Sequence, residues 1–233
     1  MLFAVTRPVE DAVPLGRALE AAGHAVIVCP MMDVVLQPHP LDLVGVQALL
    51  ATSANGVRAL AASTPRRDLP LFAVGPATAN AARTAGFAAV EVAGGDGKAL
   101  TALVGVRLDP AKGRLVHAAG SVTAGDLKRR LEALGFSVER HVLYDARPRR
   151  GLPPPLAAAL REGKLDGVLL FSPRTARLLC ENIAAEGLEA GVRGARALCL
   201  SQAVAQAARA LPFSRIEIAQ TPDEAAMVAL AAG

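Results

Sequence analysis

Aromatic side chains are nearly absent from this chain. Its 233 residues include no tryptophan and one tyrosine, and aromatic residues make up 3% of the total. Proteins that bind single-stranded nucleic acid stack successive bases on aromatic side chains, so the composition argues against a nucleic-acid partner. Hydrophobic residues nevertheless make up 52% of the chain. We therefore expect cores built from alanine, valine and leucine.

Residues that hold metals are few and scattered. The three cysteines lie in apolar surroundings and lack the spacing of metal ligands (Cys29, Cys180 and Cys199). The four histidines are far apart in the sequence and have no acidic partners at helical spacing (His24, His39, His117 and His141). We expect the cysteines to be core residues of a reduced protein, and we predict no metal site.

Long apolar runs are also missing. No run approaches the roughly 18 residues that a membrane-spanning helix needs, and the residues after Met1 do not have the pattern of a signal peptide. These absences predict a cytoplasmic protein with no membrane partner. The formal net charge of +4 favours an anionic ligand. Because the basic residues are spread along the chain, a small acidic ligand fits better than a nucleic-acid backbone.

What the chain does contain is an internal duplication. Four blocks recur in the same order: 19–29 as 131–141, 49–60 as 169–179, 74–82 as 200–208, and 95–103 as 221–230. A separation of more than a hundred residues is too long for the repeat of a solenoid. It predicts two domains of one fold. Two related lobes would form a cleft, and we expect the functional site there.

Segments typical of strands alternate with segments typical of helices, which predicts an α/β fold with parallel sheets covered on both faces. Two extended, proline-bearing stretches, at about 30–40 and 144–150, occupy equivalent places in the repeat, and the second follows a predicted strand at 136–143. We interpret them as crossings between lobes. The first lobe is then discontinuous, 1–36 plus 149–233, and the second lobe comprises 40–144.

The ends of the predicted strands carry small or hydroxylated residues that precede predicted helices. Free backbone N–H groups at the N-terminus of a helix bind carboxylates and phosphates. One such junction is typical of an ordinary helix cap, but six in paired positions favour a polyanion held between the lobes. The candidate binding residues are Arg7, Ser53, Asn55, Gly75, Pro76, Ala77, Gly120, Ser121, Ser172, Arg174, Ser201, Gln202 and Ala203.

Tyr144, the only tyrosine, lies where the second crossing begins. A phenol donates hydrogen bonds and serves as a general acid. The alternative is a linker tyrosine that packs against one lobe. The basic residues that follow are typical of a solvated linker (Arg147, Arg149 and Arg150).

Six segments resemble the motifs of one enzyme family. They are Thr6-Arg7-Pro8, 52–57, 74–79, 135–144 ending in Leu143-Tyr144, Phe171-Ser172-Pro173, and Thr221-Pro222. Taken in order, from Thr6 to about Leu230, they are similar to the uroporphyrinogen-III synthase family. The resemblance implies two flavodoxin-like lobes joined by a two-stranded extended linker, in agreement with the crossings.

The resemblance also implies a reaction and roles for residues. The family cyclises the linear tetrapyrrole hydroxymethylbilane, with inversion of ring D and loss of water, to uroporphyrinogen III in haem biosynthesis, and needs no metal or organic cofactor. A transient hand-over from hydroxymethylbilane synthase is part of this expectation. By resemblance, Tyr144 helps hydroxide to depart and Thr78 contacts the substrate. At 201–204 some relatives carry Gly-Pro-Thr-Thr where this chain has Ser-Gln-Ala-Val, so no threonine role transfers there.

The residues alone leave two other functions open. A two-lobed sensor that binds a polycarboxylate without catalysis would have the same lobes, cleft and helix termini. A nucleotide-using enzyme is less favoured, because the sequence has neither a Walker-type loop nor a dinucleotide fingerprint after the first predicted strand. We expect a monomer, because no predicted element has a spare apolar face.

Overall fold

The computed structural model describes residues 1–122 and 126–233. The chain divides into two compact units. Unit 1 consists of Met1–Asp33 and Arg147–Gly233, and unit 2 consists of Val34–Ala146. Unit 1 is therefore discontinuous in sequence, and unit 2 is inserted into it.

Strands and helices alternate along the described chain. In order they are β1 (Leu2–Val5), α1 (Val9–Ala21), β2 (Ala25–Val28), β3 (Met32–Leu36), β4 (Val46–Ala51), α2 (Ala54–Ser63), β5 (Leu71–Ala73), α3 (Pro76–Thr84), β6 (Val90–Val92), α4 (Gly97–Arg107), β7 (Arg114–Gly120), α5 (Leu127–Glu132), β8 (Val138–Pro148), α6 (Pro154–Arg161), β9 (Gly167–Leu170), α7 (Pro173–Ala185), β10 (Arg196–Cys199), α8 (Gln202–Ala208), β11 (Arg215–Ile218) and α9 (Glu224–Ala232). Short 3-10 turns lie at Pro110–Lys112 and Glu189–Val192.

Unit 1 contains a five-stranded sheet in the order β11-β10-β9-β1-β2. Its strand pairs are parallel. Counted along the chain of this unit and read from β2, the order is 2-1-3-4-5, which is that of flavodoxin-like doubly wound folds. Buried apolar side chains form a cluster on each face of the sheet. The predicted α/β class is confirmed.

Unit 2 contains a six-stranded sheet in the order β3-β8-β7-β4-β5-β6. The pairs from β8 to β6 are parallel. The run β8-β7-β4-β5-β6 follows the same plan as β2-β1-β9-β10-β11 in unit 1, with β3 added at one edge. The repeated sequence blocks therefore occupy equivalent strands and helices in the two units. The chain forms these equivalent strands in a different order in each sheet.

The chain passes from one unit to the other within two neighbouring strands, β3 and β8. In unit 2 the N–H of Gln37 donates to the carbonyl of Leu143 at 2.7 Å, and in unit 1 the N–H of Arg149 donates to the carbonyl of Met31 at 3.0 Å. The predicted end of the strand at Leu143 was wrong, because β8 continues to Pro148. Main-chain hydrogen bonds with β3, a segment distant in sequence, extend β8 beyond the apolar pattern that ends at Leu143.

The cores are built mainly from alanine, valine and leucine, as the composition predicts. The three cysteines lie among them and are buried. Burial raises the pKa of Cys29 and Cys199 to about 12 and that of Cys180 to about 11. Such thiols stay protonated and unreactive. The cysteines are core residues, as predicted.

The helix after β7 is predicted at 123–134, and its first three residues lie outside the described part of the chain. The described helix, α5, ends at Glu132, shortly before Gly135, whose φ is 88°. Among the described helices, none has both the length and the apolar composition of a membrane span. Within residues 1–122 and 126–233, no group of three or more His, Cys, Asp or Glu side chains is arranged to hold a metal ion.

Candidate functional site

The strand order of unit 2 creates a switch point between β4 and β7. From these two neighbours the chain runs in opposite directions across the sheet, from β4 to β5 and from β7 to β8. The connections after β4 and β7 therefore diverge, and a crevice opens at the carboxyl ends of the strands, where open α/β sheets bind ligands. Thr52 and Ser53 follow β4, and Gly120 is the last residue of β7.

Tyr144, in β8, lies at this switch point. Its phenol oxygen is 2.9 Å from the hydroxyl oxygen of Ser53, which is hydrogen-bonding distance. Ser53 is the N-cap of α2, and its hydroxyl oxygen accepts a hydrogen bond from the main-chain N–H of Gly56 at 3.0 Å. One hydroxyl group thus links the phenol to the N-terminus of a helix, the end that stabilises negative charge.

Gly120 makes room for the phenol ring. A Cβ atom at this position would lie 2.7 Å from Cζ of Tyr144 and 3.0 Å from the phenol oxygen. Such a separation is well inside van der Waals contact, so the ring in this place requires glycine. The next residue, Ser121, donates its main-chain N–H to the carbonyl of Tyr144 at 2.9 Å and its hydroxyl to the carboxylate of Asp145. These bonds hold the ends of β7 and β8 side by side.

A buried histidine lies close to the switch point. His117, in β7, is 3% exposed, and its Nε2 is 3.3 Å from the hydroxyl oxygen of Thr52. Its Nδ1 has no hydrogen-bond partner within residues 1–122 and 126–233. Burial, with the positive charge of Arg140 as a smaller cause, lowers the pKa of His117 to about 4. The imidazole is therefore neutral at pH 7.

His117 makes the stability of the fold depend on pH. Its ordinary pKa is 6.5, so below that pH the unfolded chain binds a proton that the folded chain does not. The stabilisation is complete above pH 6.5 and is lost as the pH falls toward 4. One pKa unit corresponds to about 1.36 kcal/mol, so for a shift from 6.5 to about 4 we expect the free energy of unfolding to fall by about 3 kcal/mol.

Urea unfolding at the two ends of this window measures the loss. The variant His117→Gln has no imidazole to titrate, so we expect it to lose less stability over the same interval. Equal losses in both proteins would assign the pH dependence to other groups.

Asn55 and Gly75 lie at neighbouring strand ends of unit 2. Asn55 is in the first turn of α2, where its side-chain oxygen accepts a hydrogen bond from Arg58 at 2.7 Å. Gly75 is the N-cap of α3 and has extended backbone. Pro76, the first residue of α3, has no N–H, so the first-turn donors without a partner within the helix are the N–H groups of Ala77 and Thr78.

The first turn of α3 contains the other candidate residues of this region. Pro76 and Ala77 are exposed, whereas Thr78 is only 4% exposed. The two residues predicted to be catalytic therefore differ: Tyr144 is half-buried at the switch point, and Thr78 is enclosed in a helix turn.

A cavity of about 410 Å³ lies on the α4 and α5 side of the same sheet edge. It is lined by Thr52, Val74, Gly95, Asp96, Gly97, Lys98, Asp126, Leu127 and Arg130. Hydrogen bonds from Arg130 and Arg129 lower the pKa of Asp126, and the main-chain N–H of Ala99 lowers that of Asp96. Two ionised carboxylates thus offset the two cations of the lining, and the cavity carries no excess of positive charge.

The equivalent switch point of unit 1 lies between β1 and β9. Arg7 follows β1 and lies over the ring of Phe171, 4.6 Å from its centroid. Its guanidinium also forms ion pairs with Glu224 at 2.7 Å and with Asp11 at 3.4 Å. The positive charge of Arg7 is therefore already balanced within unit 1.

Ser172 and Ser201 precede α7 and α8 at the same edge of unit 1. Ser172 is an N-cap whose hydroxyl oxygen accepts from the N–H of Thr175 at 3.1 Å, as Ser53 does from Gly56 in unit 2. Ser201 occupies the N-cap position of α8. Of the other candidates here, Arg174 is half-buried, and Gln202 and Ala203 are exposed.

The structure thus brings four candidate residues together in unit 2: Tyr144, Ser53, Gly120 and Ser121. The other candidates lie at further strand ends of unit 2 or at the edge of unit 1. Two further residues near this group, Gly56 and His117, are not among the candidates predicted from the sequence. Gly56 could have been identified by its position three residues after a serine N-cap. His117 could have been identified as a polar residue within an apolar strand.

Comparison with known proteins assigns the chain to a family. The profile of the family described as Uroporphyrinogen-III synthase HemD matches residues 14–229. The chain belongs to the uroporphyrinogen-III synthase family. It is a lyase that cyclises hydroxymethylbilane to uroporphyrinogen III, and the non-catalytic sensor is not favoured. The resemblance inferred from the sequence motifs is confirmed.

Two solved structures are similar to this uroporphyrinogen-III synthase family member over nearly all of their lengths. One is a mutant uroporphyrinogen III synthase from the extremely thermophilic bacterium Thermus thermophilus, with a TM-score of 0.57 and 18% identity over 98% of this chain and 96% of that one. The other is the uroporphyrinogen-III synthetase from Helicobacter pylori 26695, with a TM-score of 0.64 and 17% identity over 99% and 98%. At this identity the likeness shows the fold. A comparison with curated proteins found no match.

Proposed function

We propose that Tyr144 is the general acid of the cyclisation and that the departing hydroxyl of hydroxymethylbilane lies at the switch point of unit 2. The observation that supports this proposal is the position of the only phenol of the chain, half-buried where β4 and β7 diverge and hydrogen-bonded to an N-cap hydroxyl. General acids of this kind contribute about 10² to 10⁴ in rate.

The acid step removes water from the hydroxymethyl group. The C–O bond breaks with its electron pair on oxygen, the phenol proton of Tyr144 moves to that oxygen, and water leaves. The substrate becomes an azafulvenium cation, and the phenol becomes a phenolate. When the closed macrocycle loses its last proton, the phenolate takes up a proton, so Tyr144 returns to its initial state.

Orientation is the second demand of the reaction, because hydroxymethylbilane also closes without an enzyme, to the type I isomer. The enzyme must hold ring D so that its substituted carbon attacks first. We propose that first-turn N–H groups of α2 and α3, both in unit 2, bind acetate and propionate groups of the substrate. A tenfold preference for one closure needs only about 1.4 kcal/mol, so a few such bonds suffice.

The side chains proposed to contact substrate carboxylates remain those of the sequence analysis. Among the exposed candidates of unit 2, Ala77 offers a backbone N–H, whereas Pro76 has none and the N–H of Ser121 already donates to the carbonyl of Tyr144. Arg7 also stays a prediction, but a substrate carboxylate would have to replace Asp11 or Glu224 in its ion pairs.

The proposal includes how the substrate reaches the enzyme. Hydroxymethylbilane cyclises spontaneously, so a substrate left in solution yields the wrong isomer. We therefore propose a transient hand-over from hydroxymethylbilane synthase, with both enzymes in the cytoplasm. We also propose that this chain acts as a monomer.

Thr78 is expected to contribute less than Tyr144. Because it is 4% exposed, we expect its hydroxyl to make at most one hydrogen bond that affects the substrate. One such bond is worth about 1 kcal/mol, so Thr78→Ala should lower kcat/KM about fivefold. Steady-state formation of type III measures the effect, and Thr78→Ser, which keeps the hydroxyl, should restore the rate. A loss as large as that of Tyr144→Phe would contradict this ranking.

Turnover separates an enzyme from a protein that only binds its ligand. The full chain, well below the concentration of freshly generated hydroxymethylbilane, is incubated with it, and the products are oxidised and separated by chromatography. We expect many molecules of uroporphyrin III per molecule of protein. Saturable binding with no type III product above the protein-free control would overturn the proposed function.

A further inference from the structure

The hydroxyl of Ser53 caps α2 and also contacts the phenol of Tyr144. A serine hydroxyl has one proton to donate and two lone pairs that accept. One lone pair accepts the N–H of Gly56 at 3.0 Å, and the phenol oxygen of Tyr144 lies 2.9 Å away. In the hydrogen bond between Ser53 and Tyr144, either hydroxyl can be the donor. Which of them donates decides whether the phenol proton is available to a substrate.

The two arrangements differ in what they allow the phenol to do. If the phenol donates to Ser53, its only proton is already used and none remains for a substrate. If Ser53 donates to the phenol oxygen, the phenol proton points elsewhere. Once the phenol has lost its proton, only the second arrangement is possible, because a phenolate has nothing to donate. A hydrogen bond to a charged oxygen is also about twice as strong as one between neutral groups.

We propose that Ser53 is a positioning residue for Tyr144: its hydroxyl donates to the phenol oxygen and directs the phenol proton toward the departing hydroxyl group. The inference rests on the proposed acid role of Tyr144 and changes the role of Ser53 from substrate ligand to support of the acid. The hydrogen bond from Gly56 polarises the Ser53 hydroxyl, which makes it a better donor. When the phenol proton moves to the leaving oxygen, the Ser53 hydrogen bond stays in place and strengthens.

Gly120 fixes the other side of the phenol. A Cβ atom at this position would lie 2.7 Å from Cζ and 3.0 Å from the phenol oxygen, so the ring of Tyr144 lies directly against the backbone of β7. Ser53 holds the oxygen, and Gly120 limits where the ring can move. The remaining direction for the phenol proton is away from both.

The lone tyrosine gives this inference a direct spectroscopic test. With one tyrosine and no tryptophan in the chain, the tyrosine Fermi doublet in the ultraviolet resonance Raman spectrum comes from Tyr144 alone. Its intensity ratio reports whether a phenol oxygen accepts or donates. We expect an acceptor in the unmodified protein and a shift toward the ratio of a hydrated tyrosine in Ser53→Ala.

Three further variants separate the hydroxyl from the cap. Ser53→Gly removes the hydroxyl but is tolerated as an N-cap, and it should shift the doublet as Ser53→Ala does even if the alanine variant folds poorly. Ser53→Thr keeps a hydroxyl and should keep the doublet. Ser63→Ala removes a hydroxyl at the far end of α2, where it donates to the carbonyl of Ala59, and should change nothing. A phenol that acts as a donor in the unmodified protein, or a doublet unchanged in Ser53→Gly, would overturn the inference.

Kinetics decide between positioning and substrate binding. If Ser53 acts through the phenol, Ser53→Gly lowers kcat about tenfold or more, as expected for loss of a hydrogen bond to a charged group, and leaves KM nearly unchanged. Ser53→Thr restores kcat. A rise in KM with kcat unchanged would make Ser53 a substrate ligand and overturn the inference.

A double-mutant cycle separates failure of this inference from failure of the proposed function. Adding Ser53→Gly to Tyr144→Phe should cost almost nothing further, because the group that Ser53 positions is already gone. Costs that add would show that Ser53 acts independently, against the inference, while the role of Tyr144 would stand. If Tyr144→Phe by itself leaves kcat unchanged, the proposed function of Tyr144 fails, and the inference fails with it.

Discussion

Replacing Tyr144 with phenylalanine is expected to lower kcat for uroporphyrinogen III about a hundredfold, near the lower limit for loss of a general acid. The ring stays in the space that Gly120 leaves for it, and only the hydroxyl is removed. Hydroxide then leaves without a proton donor, and unassisted closure to the type I isomer competes. We therefore expect the fraction of type I product to rise as the rate falls.

Steady-state rates and chromatography of the oxidised products measure both effects. Ser53 keeps its hydrogen bond from Gly56 in this variant, so the free energy of unfolding should change by less than about 1 kcal/mol. Ser63→Ala, a hydroxyl deletion elsewhere in unit 2, should retain full activity. A Tyr144→Phe enzyme with unchanged kcat and isomer ratio would exclude Tyr144 as the acid.

The largest loss of stability is expected from Gly191→Ala in unit 1. Gly191 lies in the 3-10 turn at Glu189–Val192, and a Cβ atom there would lie 2.3 Å from the carbonyl oxygen of Leu160 and 2.8 Å from its carbonyl carbon. The obstacle is the backbone of α6, which cannot rotate away as a side chain would. Overpacking of this kind costs about 3 kcal/mol.

Urea unfolding followed by circular dichroism measures the loss at Gly191. Gly194→Ala is the matched control, because a Cβ atom at that position meets nothing within 4 Å, and it should stay within about 0.5 kcal/mol of the unmodified protein. Equal stability of the two variants would mean that α6 and the turn can separate without cost.

Local signals in the sequence were sufficient for much of the fold. A glycine at position 23, directly after a segment typical of a helix, predicts the end of the first helix there, and the structure agrees: α1 ends at Ala21, and Gly23 adopts a φ of 85° that favours glycine. Alternating apolar segments likewise identify β4 and β9, which are buried along their lengths. The extension of β8 beyond Leu143 has no such signal, because its hydrogen bonds come from β3, a distant segment.

The candidate site shows the same division between local and distant information. Tyr144 could be singled out because the chain has one phenol, and Ser53 because a serine before a helix is a typical cap. Their contact depends on the order β8-β7-β4, which places Tyr144 beside a residue 91 positions earlier. The need for glycine at position 120 is likewise visible only once the ring of Tyr144 lies against it.

Contacts in the folded protein also change the interpretation of two other candidate residues. The sequence predicts that Arg7 is a cation available to a substrate carboxylate. In the structure Arg7 already forms an ion pair with Glu224, which is distant in the chain. The sequence likewise predicts that Asn55 is a polar ligand of the substrate, but in the structure its side-chain oxygen accepts a hydrogen bond from Arg58 of the same helix. Sequence reasoning identifies polar residues at strand ends, and the three-dimensional contacts decide which of them are already engaged.

A crystal structure of the full chain with uroporphyrinogen III, prepared without oxygen, tests the acid role of Tyr144 directly. The bridging carbon between rings A and D is the former hydroxymethyl carbon of the substrate. We expect this carbon to lie roughly 3.5 Å from the phenol oxygen of Tyr144, with product carboxylates on the first-turn N–H groups of α2 or α3. A product bound with that carbon far from Tyr144 would exclude Tyr144 as the acid.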